Sequence, residues 1–243
     1  MCELCLAATT RFSRRRLMFA AGSLALAASA SPILPAWAAE PIFEPNPNAI
    51  APEEALDRLM KGNARYAANA PEQRDFSYGR AARAGSQFPI AAILSCADSR
   101  VGPELLFDQN PGDLFVVRLA GNFVNEDGLA SLEFAVAVLG VPFLMVLGHT
   151  NCGAVDSAIK VVQQGVTLPG HLPGLINAIK PAVLAAEAKK PADLLAAATE
   201  ENVRLNVQRL HDDKPIVSEA LAAKTVGVGG GVYDLATGKV NLT

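Results

Sequence analysis

Ser95-Cys96-Ala97-Asp98-Ser99-Arg100, completed by Gly148-His149-Thr150-Asn151-Cys152-Gly153, is the stretch from which the rest of the chain can be read. Each segment follows an apolar run, Phe88–Leu94 and Phe143–Leu147. Runs of that length, apolar on both faces, read as central strands of a parallel sheet. Open α/β sheets place their sites at the carboxyl ends of such strands. There the sequence sets two thiols and one imidazole, Cys96, Cys152 and His149, with His and Cys three apart. Three protein ligands with an open fourth position are the pattern of a catalytic zinc, whereas a structural zinc takes four.

Working outward, Pro52-Glu53-Glu54 opens a helix with proline and acids in its first turn. Its stripe of Ala55, Leu56, Leu59, Met60 and Tyr66 must be buried somewhere, and a partner subunit is one candidate. Arg74 to Gly85 is polar and reads as irregular. After the first strand, Val101–Gln109 is a short helical crossover, Pro111-Gly112 turns the chain, and Asp113–Leu119 is a second strand. A loop at Ala120-Gly121-Asn122 leads to a helix capped by Asn125 or Asp127 and ended by Gly140 at C′. The third strand, 143–147, feeds the His/Cys segment and a helix to Gln164.

Leu168 to Pro173 reads as a loop, followed by helical stretches at 175–188, 192–210 and 217–223, none with a motif. A strand at Thr225–Tyr233 and a turn at Asp234–Lys239 lead to a last strand, Val240–Leu242. Gly229-Gly230-Gly231 is followed by neither Lys-Ser/Thr nor a helix, so it is not a phosphate loop. The fold class is α/β: a mainly parallel central sheet flanked by helices, with an N-terminal helical arm and a C-terminal hairpin.

The chain has 243 residues, 51% hydrophobic and 19% charged, enough for one substantial core. Its first residues differ in kind. Arg14-Arg15-Arg16 precede an Ala-rich run from Leu17 to Ala30, broken at Pro32 and Pro35, and Ala36-Trp37-Ala38 has a small-x-small cleavage pattern. This reads as a twin-arginine export signal over residues 1–38, with a Pro-rich linker at 39–51 and one catalytic domain at 52–243. The competing reading, an uncleaved membrane anchor, is opposed by the two prolines.

Cleavage removes Arg11, Arg14, Arg15, Arg16 and Glu3, leaving 21 − 4 = 17 bases and 24 − 1 = 23 acids, a net charge of −6. With no basic tract, nucleic acid is not an expected partner. Cys2 and Cys5 leave with the signal, so the mature chain keeps only Cys96 and Cys152. No cysteine follows the cleavage pattern, so neither a lipid anchor nor stable membrane association is expected after it.

Two thiolates cancel the double charge of zinc, so the ligand set is formally neutral and something must assist deprotonation of a bound water. Asp98 lies two residues from Cys96 and Arg100 four, and residues alternating past a strand end can converge on one spot. Arg100 can hold Asp98 bidentately, leaving it ionised and able to accept a proton. Alternatively Asp98 itself becomes the fourth ligand and closes the site. A lone Cys-x-Asp-x-Arg or His-x-x-Cys carries little weight, but together they use every mature cysteine at strand ends. His171 in a Pro/Gly loop and His211 in Leu-His-Asp-Asp-Lys read as solvated.

Cys-Ala-Asp-Ser-Arg, Gly-Asp-Leu-Phe-Val-Val-Arg and Gly-His-Thr-Asn-Cys-Gly resemble the three signature blocks of the bacterial and plant β-class carbonic anhydrases, from about Ala51 onward. The resemblance implies one Zn2+ per chain on Cys96, His149 and Cys152, with Asp98 and Arg100 as the catalytic dyad. It implies reversible hydration of CO2 to bicarbonate and a proton by a zinc-bound hydroxide. Gln87 falls where some members bond substrate across a dimer interface, Phe115 and Phe134 at apolar pocket positions, and Gly153 at a backbone contact to the site. Phe134 stands where many plant-type members have tyrosine, so no hydroxyl is available there. Phe-Val-Val-Arg and Gln87 match the subgroup with an open fourth zinc position. The family forms dimers, some of which assemble into tetramers. Export predicts a periplasmic or other extracytoplasmic location. Rival readings are a zinc hydrolase of CS2 or COS, and a non-catalytic zinc-binding protein closed by Asp98.

Overall fold

The parallel pairing of two wholly buried strands builds the centre of the molecule. A computed structural model describes residues 49–243; the segments expected to be an export signal and most of the linker lie outside that range. The elements run α1 (Pro52–Ala67), α2 (Arg80–Gly85), β1 (Ala91–Ser95), α3 (Pro103–Leu106), β2 (Leu114–Arg118), α4 (Glu126–Ala137), β3 (Phe143–His149), α5 (Gly153–Gln164), α6 (Leu172–Ala188), α7 (Leu194–Asp212), α8 (Ile216–Ala222), β4 (Gly227–Tyr233) and β5 (Val240–Leu242). The sheet order is β2-β1-β3-β4-β5. The first four strands pair in parallel and β5 closes the edge antiparallel to β4. The expected α/β class with a mainly parallel sheet is what forms.

Every residue of β1 and β3 is buried, because helices cover both faces. The two-residue strand period divides their side chains. Ile93, Met145 and Leu147 join one core with Ala55 and Leu59 of α1, while Ala92, Leu94, Leu144 and Val146 join another with Leu132, Val203 and Val217. The stripe of α1 is therefore buried on its own sheet rather than on a partner subunit. Full burial of Leu59 contributes about 2 kcal/mol to that docking. Against β4, α7 approaches so closely that a Cβ on Gly230 would lie 2.5 Å from Val203 Cγ1. The glycine run thus serves helix packing.

Several boundaries shift for local reasons. β1 starts at Ala91 rather than Phe88, since Pro89 has no N–H for the ladder. Asn125, not Asp127, caps α4, its side chain accepting the Gly128 N–H at 2.8 Å. That helix ends at Val138, so Gly140, with φ +63, turns the chain into β3 and is not the C′ residue. Leu172 and Pro173 open α6 rather than closing a loop, since a first-turn proline forfeits no hydrogen bond. The polar stretch 74–85 contains α2, which buries no residue and so carries no apolar period.

A buried charge cluster secures the α1–α3 side. Asp108 is 1% exposed at its side chain and has φ +48. It accepts from Arg65 Nε at 2.5 Å, from Arg74 Nη1 and from the Glu72 N–H at 3.2 Å. Burial alone would raise its pKa, but the Arg74 and Arg65 hydrogen bonds outweigh it and hold the carboxyl below its usual range. Asp108→Asn tolerates the same left-handed backbone and should destabilise the fold by about 3 kcal/mol at neutral pH. The folded carboxyl titrates below its unfolded value of about 3.9. Its contribution is therefore complete above that pH and is lost as pH falls through the folded value. Urea unfolding should show a wild-type advantage that shrinks below about pH 4; an advantage unchanged at lower pH would contradict this.

Candidate metal centre

β1 and β3 are neighbours in parallel, so the residues leaving their carboxyl ends meet. Cys96 follows Ser95 at the end of β1, His149 ends β3, and Cys152 is the N-cap of α5. The three ligand atoms lie within 4.8 Å of one another and all three residues are buried. The sulfur atoms of Cys96 and Cys152 are 4.0 Å apart, and both cysteines are free thiols. Two zinc–sulfur bonds of about 2.3 Å at a tetrahedral angle span about 3.8 Å, so the spacing suits one shared zinc.

His149 supplies a second test of fit. Its Nδ1 lies 2.9 Å from the Thr150 carbonyl, to which it can donate. That leaves Nε2 as the lone-pair nitrogen, and Nε2 is buried without a hydrogen-bond partner. A buried imidazole nitrogen left with a free lone pair beside two thiols suits a metal cation. Burial pushes the pKa of His149 down, yet the Cys96 thiolate, the Thr150 carbonyl and Asp98 together raise it. The neighbouring Cys152 thiol holds Cys96 well below the ordinary thiol range, against burial, with help from His149 and the Gly121 N–H. Cys152, buried against that thiolate, is pushed up. The pocket is electron-rich and short of positive charge, which a divalent cation supplies.

Asp98 stands beside this cluster, its Oδ2 3.7 Å from His149 Nε2. Arg100 grips it by both oxygens, Nε to Oδ1 at 2.9 Å and Nη2 to Oδ2 at 2.8 Å, and the Arg100 N–H adds a 3.0 Å bond to Oδ1. The Arg100 bonds depress the Asp98 pKa far below the usual carboxylate range despite partial burial. Asp98 and Arg100, two residues apart, are thus joined as a bidentate ion pair.

Two contributors escaped the sequence reading. Arg118, at the end of β2, donates to the carbonyls of Cys96 at 3.2 Å and Asp98 at 2.7 Å, pinning the loop between ligand and dyad. Its signal was present as the last residue of Phe-Val-Val-Arg. Gly121 gives its N–H to Cys96 Sγ at 3.3 Å.

The remaining residues are not gathered at the cluster within one chain. Gly153 is, since it follows Cys152 and opens α5. Phe115 pairs in register with Ala92, four residues before Cys96, or about 13 Å back along the sheet. It meets Phe134 of α4 at a ring separation of 6.4 Å, with Phe134 46% exposed. Gln87 lines a surface cavity of about 560 Å³ with Phe76, Tyr78, Arg83 and Gly112. His171 and His211 are exposed.

The topology and donor set define an α/β protein with a cysteine-rich cluster that could bind a metal at the ends of adjacent parallel strands. Known proteins narrow that class. A family model described as carbonic anhydrase matches residues 91–240. Carbonic anhydrase 2 of Mycobacterium tuberculosis is 36% identical over 199 residues, 82% of this chain and 94% of its own length. The Coccomyxa β-carbonic anhydrase, solved in complex with acetazolamide, superposes with a TM-score of 0.60 at 29% identity, covering 78% of this chain and 82% of that one. A structure from work on two tetrameric β-carbonic anhydrases of Sordaria macrospora superposes with a TM-score of 0.61 at 25% identity, covering 78% and 95%. The chain belongs to the carbonic anhydrase family, in its β class. It is a lyase that interconverts CO2 and bicarbonate.

Proposed function

We propose that the hydration is zinc-dependent, that it runs at Cys96, His149 and Cys152 with Asp98 and Arg100 as its acid–base dyad, and that the protein works outside the cytoplasm as a dimer. The observation that carries the site assignment is the orphaned His149 Nε2 beside two thiol sulfurs 4.0 Å apart. Zinc, when bound there, supplies Lewis acidity that makes a water nucleophilic near neutral pH. Asp98 Oδ2, the oxygen turned toward His149, would accept a hydrogen bond from that nucleophile and so hold its lone pair toward CO2. Arg100 keeps Asp98 ionised and aimed. For Asp98 to become a fourth ligand it would have to leave Arg100 and break three hydrogen bonds, which disfavours the closed, non-catalytic alternative.

CO2 is apolar and is held by contact. Phe115 and Phe134 suit that task, and their distance along the sheet from Cys96 supports a reading in which they serve a site completed by another copy. Gln87, in its open cavity, suits a hydrogen bond to substrate across the same interface, and Gly153 N–H is placed at the metal-facing helix start. A homodimer, with further pairing to a tetramer as in the Sordaria enzymes, fits this division of the pocket. Stopped-flow CO2 hydration on protein of known zinc content tests the chemistry, and zinc-loaded protein without hydration activity would refute it. Sedimentation tests the assembly, which a fully active monomer would rule out.

Export rests on Arg14-Arg15 ahead of the Ala-rich run and on Ala36-Trp37-Ala38. Folded-state export lets zinc be loaded before the two cysteines meet an oxidising compartment. Among the described residues no helix is long and apolar enough to cross a membrane. Replacing Arg14 and Arg15 by lysine should leave the precursor in the cytoplasm, while wild-type protein should be periplasmic with its N-terminus near Ala39. Fractionation that finds the double variant exported normally would reject the route.

A further inference from the structure

Two asparagines one turn apart on α7 are nearly fully buried, Asn202 at 1% and Asn206 at 7% exposure. An amide buried without partners is costly in an apolar setting, so their targets are informative. Asn202 Nδ2 donates to the Gly121 carbonyl at 2.8 Å. Asn206 Oδ1 accepts the Val124 N–H at 2.7 Å, and its Nδ2 donates back to the Asn202 carbonyl at 2.7 Å. The two side chains thus grip both ends of the 121–124 loop.

That loop closes its own turn without α7, through Asn122 N–H to the Leu119 carbonyl at 2.9 Å. What Asn202 adds is a second anchor on the Gly121–Asn122 peptide, from its carbonyl side, next to the Gly121 N–H that points at Cys96 Sγ. Gly121 has φ +86, and a Cβ there would lie 2.4 Å from Ile179 Cδ1, so a side chain at this position is strained and must displace Ile179. A hydrogen bond from a fixed N–H draws charge from a thiolate and sets its direction, and such outer contacts alter metal affinity about 10–100-fold.

We propose that Asn202 and Asn206 are positioning residues of the metal centre, acting through Gly121 on the Cys96 thiolate. This rests on Cys96 being a metal ligand. Their test is spectroscopic. In the cobalt(II)-substituted enzyme, Asn202→Asp, which loses the donor to Gly121 at constant size, should shift the sulfur-to-cobalt charge-transfer band to longer wavelength. The zinc enzyme should release metal to a chelator about tenfold faster. Asn206→Asp, which keeps the acceptor for Val124 and loses only its link to Asn202, should shift both readouts the same way by less. Leu210→Ala, a cavity in the same helix at a fully buried position, should lower the melting temperature and leave band and release rate unchanged.

Bands and release rates in both Asn variants equal to wild type would overturn the inference, as would Leu210→Ala moving them equally. Should neither Asn variant fold, the wild type answers alone: loaded with cadmium-113, the Gly121 amide proton should show scalar coupling to the metal, and its absence overturns the proposal. A wild-type cobalt protein without any thiolate band would overturn the metal assignment itself, a separate result.

Discussion

Cys96→Ser or Cys152→Ser is expected to reduce both bound zinc and CO2 hydration to background. Each cysteine supplies one of three protein donors, and two donors do not hold zinc against water and chelators. Serine is nearly isosteric, so the fold should survive. It is also a far poorer ligand, because its hydroxyl resists deprotonation at neutral pH. Both thiols are buried and lie in one apolar cluster with Val155 and Ile179, and the carboxylate beside them, Asp98, is held by Arg100. Zinc by atomic emission, hydration by stopped flow and the melting curve should be read on the same samples. Stoichiometric zinc in either variant would sink the ligand assignment.

Asp98→Asn should separate metal from rate. Asparagine keeps the shape but presents an amide, so it can neither accept a proton nor receive the full Arg100 fork. A loss of about 10²–10⁴ in kcat is expected, the usual contribution of a positioned acid–base group, with zinc content unchanged. Arg100→Ala should fall in the same direction, since two of the three bonds that aim Asp98 come from the Arg100 side chain. Arg100 itself is half exposed, so stability should barely move. An Asp98→Asn enzyme with undiminished kcat would make the dyad structural and this chemistry wrong.

Much of the molecule was legible before folding. The strands β1 and β3 announce themselves because a strand buried on both faces must be apolar throughout, and no surface segment has reason to be. The dyad was legible because Asp98 and Arg100 are local, two residues apart. Helix α7 was not. Its buried Asn202 and Asn206 look like ordinary polar residues in a helix that shows no motif; only their one-turn spacing, on a face shared with Ala198, Val203 and Leu210, was available as a signal. Gly229-Gly230-Gly231 was rightly set aside as a phosphate loop, but its packing role depends on where Val203 arrives.

What the sequence by itself determined is therefore what short-range chemistry determines: apolar runs, their punctuation, and the identity of the three soft donors. Residue type dictates which atoms can hold zinc, and strand ends dictate that they face one crevice. Only the tertiary structure decided how the donors are held. The Gly121 N–H on Cys96, the Arg118 clamp and the α7 asparagines join segments many residues apart. Only the fold could show that Phe115 and Phe134 lie back along the sheet, because registry between β1 and β2 is set by both strands' burial together. Contacts between distant segments depend on packing of whole surfaces, which no local pattern encodes.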